Sequence, residues 1–108
     1  MENISFADFK KLEIRIGKIV VAERVQGSEK LLKLSVDFGT LGQRQIIAGI
    51  GLSYQPEDLQ GKESPFAFNL EPRALMGLES QGMILCADDQ GPVLMSPERE
   101  ILPGSGVK

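Results

Sequence analysis

The stretch from Glu13 to Val25, E-I-R-I-G-K-I-V-V-A-E-R-V, reads as one long strand with a bend inside it. Ile14 and Ile16 alternate with Glu13 and Arg15, but beyond Gly17 the apolar residues Ile19, Val21 and Val25 take the opposite parity. A strand whose buried face switches at a glycine is bulged or bent there. Such a bend lets one strand belong to both halves of a small barrel. Gln26-Gly27-Ser28 then makes the turn.

Working outward, Leu32, Leu34, Val36 and Phe38 alternate with Lys33, Ser35 and Asp37, so a second strand buries one face and wets the other. The turn G-T-L-G at 39–42 leads into a third strand, Q-R-Q-I-I-A-G-I, antiparallel to the second. Pro56 opens a helical turn through Leu59, with Gly61 as its stop. A fourth strand places Phe66, Phe68 and Leu70 on one face, with Ala67 and Asn69 on the other; Met83–Ala87 is the fifth. D-D-Q-G is a turn, P-V-L-M is a short further strand, and the last residues form a loose tail held by Leu102 and Val107. Upstream, Ser5 caps a short helix with Asp8 three residues on, and Ile4 and Phe9 have the spacing of a hydrophobic staple. Five strands, a bent first strand and a helix after the third predict an all-β OB-fold, a five-stranded Greek-key barrel. The short N-terminal helix and the extra C-terminal strands are added to it, in one domain spanning residues 1–108.

Composition narrows the chemistry. Apolar residues make up 42% and charged residues 25% of the 108, ordinary for a globular protein. No run approaches the ~18 apolar residues of a membrane span, and no signal peptide precedes the first helix. A lone cysteine, Cys86, points to a reducing cytoplasm. With no histidine and no second cysteine, zinc sites and His-based catalysis are excluded, and no cofactor is expected. The carboxylate pairs Glu57-Asp58 and Asp88-Asp89 stand in loops with neither a nucleophile nor a phosphate-cradling loop beside them, which argues against an enzyme. Net charge is −3, yet residues 1–54 carry eight Lys/Arg against six Asp/Glu, and residues 55–108 four against nine. An anionic partner should therefore meet the first half plus Arg73.

Between the fourth and fifth strands lies N-L-E-P-R-A-L-M-G-L-E-S-Q-G-M-I-L-C, Asn69 to Cys86, which reads as an irregular loop and the place for a partner. Six motifs stand in order: L-E-I-R-I-G-K-I, G-S-E-K-L-L-K-L-S-V-D-F-G, R-Q-I-I-A-G-I, Y-Q-P-E-D-L-Q-G-K, N-L-E-P-R and L-E-S-Q-G-M-I-L-C-A. Together, over about Phe6 to Lys108, they resemble the tRNA-binding domain found at the C-terminus of methionyl-tRNA synthetases and in free-standing bacterial tRNA-binding proteins. The resemblance implies an OB-fold that binds tRNA by shape, as a homodimer built by the terminal elements, with a synthetase catalytic domain as a further partner. The family's RNA contacts fall on Lys30, Arg44, Asn69, Arg73, Ser80 and Met83, and Lys33 adds a cation on the wet face of the second strand. The chain departs from the family pattern at Val25-Gln26-Gly27-Ser28-Glu29-Lys30-Leu31, which lacks the usual His-Pro. It departs again at Glu71 and at Ala74, Leu75 and Met76, where basic residues are frequent.

Each site residue has a plainer reading beside the functional one. Lysines and arginines decorate solvated surfaces. Asn69 and Ser80 either reach RNA or brace backbone; Met83 either meets an unstacked base or joins the core. Leu75, Met76 and Leu78 either cover the barrel's end or meet a second subunit. Only Tyr54 and five phenylalanines, most at core parity, are available as stacking platforms, which favours shape recognition over general single-strand binding. Two rivals stand beside a tRNA-binding module: a dimerisation domain with weak RNA affinity, and a peptide-binding chaperone like the family's secretion cousin, whose S-x-G-M segment is usually altered.

Overall fold

Strand β1 (Ile14–Arg24) is the hub of the computed structural model, which describes residues 1–108. Its second half pairs antiparallel with β2 (Leu32–Asp37), and its first half pairs with the later strand β4 (Glu63–Ala67). The chain crosses from one to the other through β3 (Gln43–Ala48), which pairs with β2, and through the helical turn α2 (Pro56–Leu59). In α2, Gln55 and Asp58 exchange side-chain and backbone hydrogen bonds, and Leu59 is plugged fully into the core.

After β4 come a hairpin of β5 (Arg73–Leu75) and β6 (Leu78–Ser80), then β7 (Met83–Ile84), which pairs back onto β4. The sheet order is thus β3-β2-β1-β4-β7, curled until its two ends meet. Closure runs through Ser80 and Gln81. The Gln81 N–H donates to Gln45 O at 2.8 Å, and the Gln45 N–H donates to Gln81 Oε1 at 3.0 Å. One residue pair along, the Ile47 N–H donates to Ser80 Oγ at 2.9 Å. This is the all-β, OB-like architecture expected from the sequence.

The alternation of β2 holds: Leu32, Leu34 and Val36 are buried and the residues between them half-buried. They meet Ile19, Ile46, Leu59 and the ring cluster of Phe38, Phe66 and Phe68, whose centroids lie 5.4 and 4.9 Å from Phe38 in edge-to-face geometry.

The bend in β1 has a different cause from the one its parity suggests. Gly17 faces inward, where a Cβ would run into Val36 Cγ1 and come within 2.7 Å of the Phe38 ring. Ile16 points the other way. It is buried there, and the C-terminal segment runs alongside: Ser105 O accepts from the Ile16 N–H at 2.8 Å while Ile16 O accepts from the Gly104 N–H at 2.7 Å. Both edges of the strand are therefore paired at its start, one with β4 and the other with the C-terminal segment. The register shift comes later, between Ile19 and Val21, after which Ala22 is buried and Val21 is exposed.

Further differences from the sequence-based expectations follow from local chemistry. The segment 69–86 is not an irregular loop: Met76 and Gly77 both have positive φ, 49° and 79°, and turn the β5–β6 hairpin in two residues. The fifth strand is broken at Leu85, whose N–H bonds Pro65 O, and Cys86–Asp88 becomes β8, paired in a separate hairpin with β9 (Pro92–Leu94). Leu70 is exposed because β4 ends at Ala67. Backbone pairing of β10 (Gly106–Val107) with β1 holds the tail, and Leu102 is 80% exposed. At the other end, α1 (Phe6–Phe9) is capped by Ser5 Oγ, 3.0 Å from the Asp8 nitrogen, yet buries none of its residues. Ile4 and Phe9 both remain exposed. No helix is long and apolar enough to cross a membrane.

Candidate nucleic-acid interface

The β1–β2 turn presents Lys30, and it is held rigidly. The Leu31 N–H donates to Ser28 Oγ at 3.1 Å, and the Gly51 N–H donates to Lys30 O at 2.7 Å. Arg24 clamps the same turn to the segment after β3: its Nη1 donates to Glu29 O at 2.9 Å and Gly51 O at 3.1 Å, and its Nη2 to Gln55 Oε1 at 3.0 Å. Gly51 is required by this closeness, since a Cβ there would lie 2.6 Å from Glu29 O. The Lys30 stem lies across Gly49, whose hypothetical Cβ would be 3.2 Å from Lys30 Cε. Its ammonium has no ion-pair partner.

Facing this turn, β5 presents Arg73, also without a salt bridge, and β7 presents Met83, 46% exposed. Lys30, Arg73 and Met83 line one groove of ≈ 480 Å³, with Leu75, Ile84 and Cys86 among its apolar walls. No carboxylate lines it, in a chain with 15 acidic residues and a net charge of −3. Two cations over an apolar floor can hold an anion that carries an apolar group. Burial pushes the Cys86 thiol above its ordinary pKa, so that wall is neutral.

The other sequence-predicted residues are engaged within the chain. Arg44 is half-buried, its guanidinium 3.5 Å above the Phe68 ring centroid, and it donates to Phe68 O, tying β3 to the end of β4. Asn69 Oδ1 accepts from the Glu13 N–H at 2.8 Å and its Nδ2 donates to Lys11 O at 2.7 Å, fastening the exit of α1. Ser80 is only 4% exposed; its hydroxyl accepts from Ile47 and donates to Gly82 O at 3.0 Å. Lys33 pairs with Glu23 at 2.9 Å on the surface. The structure thus gathers Lys30, Arg73 and Met83 in one groove; Ser80 stands opposite Arg73 in the β5–β6 hairpin with its hydroxyl bonded to Ile47, Arg44 and Asn69 share a separate hollow, and Lys33 is paired on the surface. Sequence reading overlooked Arg24 and Ile84, and gave Leu75 to the barrel's end or a second subunit rather than to this groove. For Arg24 no local signal exists, because its partners stand 5 to 31 residues away; Leu75 and Ile84 were legible as apolar but not as one wall.

Residues 14–106 match the model of the tRNA binding domain family. Over 107 residues the chain is 50% identical to a methionine–tRNA ligase of Archaeoglobus fulgidus, covering 98% of this chain but only 16% of that enzyme. Among solved structures, a MetRS-related protein from Pyrococcus horikoshii superposes with a TM-score of 0.94 at 37% identity, with full coverage of both chains. The chaperone CsaA of Bacillus anthracis superposes with a TM-score of 0.92 at 31% identity, covering 99% of this chain and 100% of the other. The chain belongs to the tRNA binding domain family.

Proposed function

We propose that this chain is a non-catalytic module that holds tRNA by its backbone and shape, acting as a homodimer joined to, or working beside, a methionyl-tRNA synthetase in the cytoplasm. The observation that carries the reading is the carboxylate-free groove with Lys30 and Arg73 at its edges and Met83 in its wall. Each phosphate neutralised there releases counterions, so affinity falls steeply with salt. Lys33 is paired with Glu23 and adds little, and Arg44, Asn69 and Ser80 act by positioning the strands and loops that carry the contacts. A module of this kind raises an enzyme's effective hold on its tRNA without touching the reacting atoms.

The dimer reading is supported by α1. Phe6 is 73% and Phe9 42% exposed, and with Leu12, Ile14 and Val107 they line a second, uncovered groove of ≈ 740 Å³. A four-residue helix is marginal alone, and a second copy would bury this face. Measuring tRNA affinity against salt tests the module, and light scattering tests the dimer. Absence of tRNA binding even at ~50 mM salt, where electrostatic affinity is largest, contradicts the proposal. A dimer without tRNA binding would instead favour the dimerisation-domain reading.

The apolar walls of the Lys30–Arg73 groove and the likeness to CsaA favour one second reading, a peptide-binding chaperone. Suppression of a client's aggregation that competing tRNA does not reverse would select it.

A further inference from the structure

The Lys30–Arg73 groove is not equivalent to the other concavities of the chain. The groove beside α1 sets Glu13 among Lys10, Arg15 and Lys108, and the cleft under the C-terminal segment sets Glu63 and Glu100 against Lys18 and Arg99. A hollow next to that cleft is lined by Glu63, Glu98 and Glu100 beside Lys62 and Arg99. Only the Lys30–Arg73 groove sets two cations, with no acid, over a lining that is mostly apolar. Its volume, ≈ 480 Å³, falls within the ~300–1,000 Å³ of small-molecule sites. A flat phosphate-tracking surface needs neither an apolar floor nor a concavity.

Base-paired RNA cannot use such a hollow. In an A-form helix the major groove is too narrow to read, and the bases are stacked, leaving phosphates and ribose hydroxyls as the contact surface. An unpaired loop nucleotide is different: its base can splay out and lie against side chains while the phosphates on either side stay at the rim. Resting on the tRNA-binding reading above, we infer that this groove receives one unpaired nucleotide, its base against Leu75 and Met83 and its flanking phosphates on Lys30 and Arg73. Met83 suits that place because a thioether is polarisable and adapts to differently shaped bases. With no aromatic ring in the lining, the base is held by apolar contact alone, so discrimination among the four bases is weak and the phosphates supply most of the affinity. The two cations have no competing partner within the chain, and the Lys30 turn is already clamped by Arg24, so little ordering is needed on binding.

The experiment titrates the full chain into a short single-stranded oligoribonucleotide with a central 2-aminopurine, beside an RNA duplex of equal length and an intact tRNA. Binding should change the 2-aminopurine fluorescence, and tRNA should displace the oligonucleotide while the duplex competes at least ~10-fold less well. Met83→Ala should weaken the oligonucleotide about fivefold and Met83→Leu should restore it, since the contact is apolar rather than specific to sulfur. Arg73→Ala should weaken it about tenfold at low salt. The inference is overturned if the duplex competes as well as the single strand, or if Met83→Ala changes nothing. Binding of tRNA without binding of the oligonucleotide would overturn the inference but leave the tRNA module standing. Failure of both RNAs would remove both readings, and an unfolded apolar peptide that displaces the oligonucleotide more readily than tRNA does would give the groove to peptides.

Discussion

Ser64 and Ser80 are both buried, yet their hydroxyls make opposite demands. Ser80 Oγ completes the barrel, accepting from the Ile47 N–H and donating to Gly82 O. Ser64 Oγ is fully buried with no hydrogen-bond partner. Ser80→Ala should therefore cost about 1–3 kcal/mol of unfolding free energy in urea, because it strands a buried amide. Ser64→Ala should be neutral or stabilising, since it removes a hydroxyl whose burial nothing compensates. Equal losses at the two positions would contradict this assignment. Gly17→Ala is a third case: its methyl would meet Val36 and Phe38 in a filled core, and a loss of about 1–3 kcal/mol is expected from overpacking. The functional meaning of Ser80 was only half legible in the sequence. The motif S-Q-G-M stood out, but the amide that needs its oxygen lies 33 residues upstream, where no local pattern points. The same holds for Asn69, whose backbone partners Lys11 and Glu13 are more than fifty residues away.

Among the elements, those with strong periodicity were legible and those built by tertiary contact were not. β2 alternates without exception, and α2 carries its proline and its stop glycine, so both stood out in the sequence. The β5–β6 hairpin was misread as a loop because its turn is Met-Gly, without the Asn or Asp that usually marks a two-residue turn with positive φ. A Cβ at Gly77 would touch nothing, so any loss on Gly77→Ala comes from backbone conformation alone, about 1–2 kcal/mol on unfolding. The same change should lower tRNA affinity by displacing Arg73 on the adjoining strand. Unchanged stability would mean that the turn relaxes into another form. The short helix α1 gives the matching prediction for assembly. Phe6→Glu places a charge on the exposed apolar face, so a dimer should become a monomer by light scattering while the barrel's circular dichroism is retained. A variant that stays dimeric would place the contact elsewhere.

For the whole molecule, overall charge is a poor guide and its distribution a good one. The chain is acidic, with a net charge of −3, but the groove lining contains two cations and no acid. That the first half plus Arg73 would face an anion could be read from the sequence; that Lys30 and Arg73 share one groove could not, because folding alone brings β5 opposite the β1–β2 turn. The central claim is that these two cations, contributed by each of two subunits, hold tRNA phosphates. Plotting the logarithm of tRNA affinity against the logarithm of salt concentration measures this directly, since each neutralised phosphate adds roughly 0.7–0.9 to the slope. The wild-type chain should give a slope of roughly −3 for four phosphates, and Arg73→Ala should make it shallower by about 1.5 per dimer. A slope that Arg73→Ala leaves unchanged, or no binding even at the lowest salt, would contradict the account.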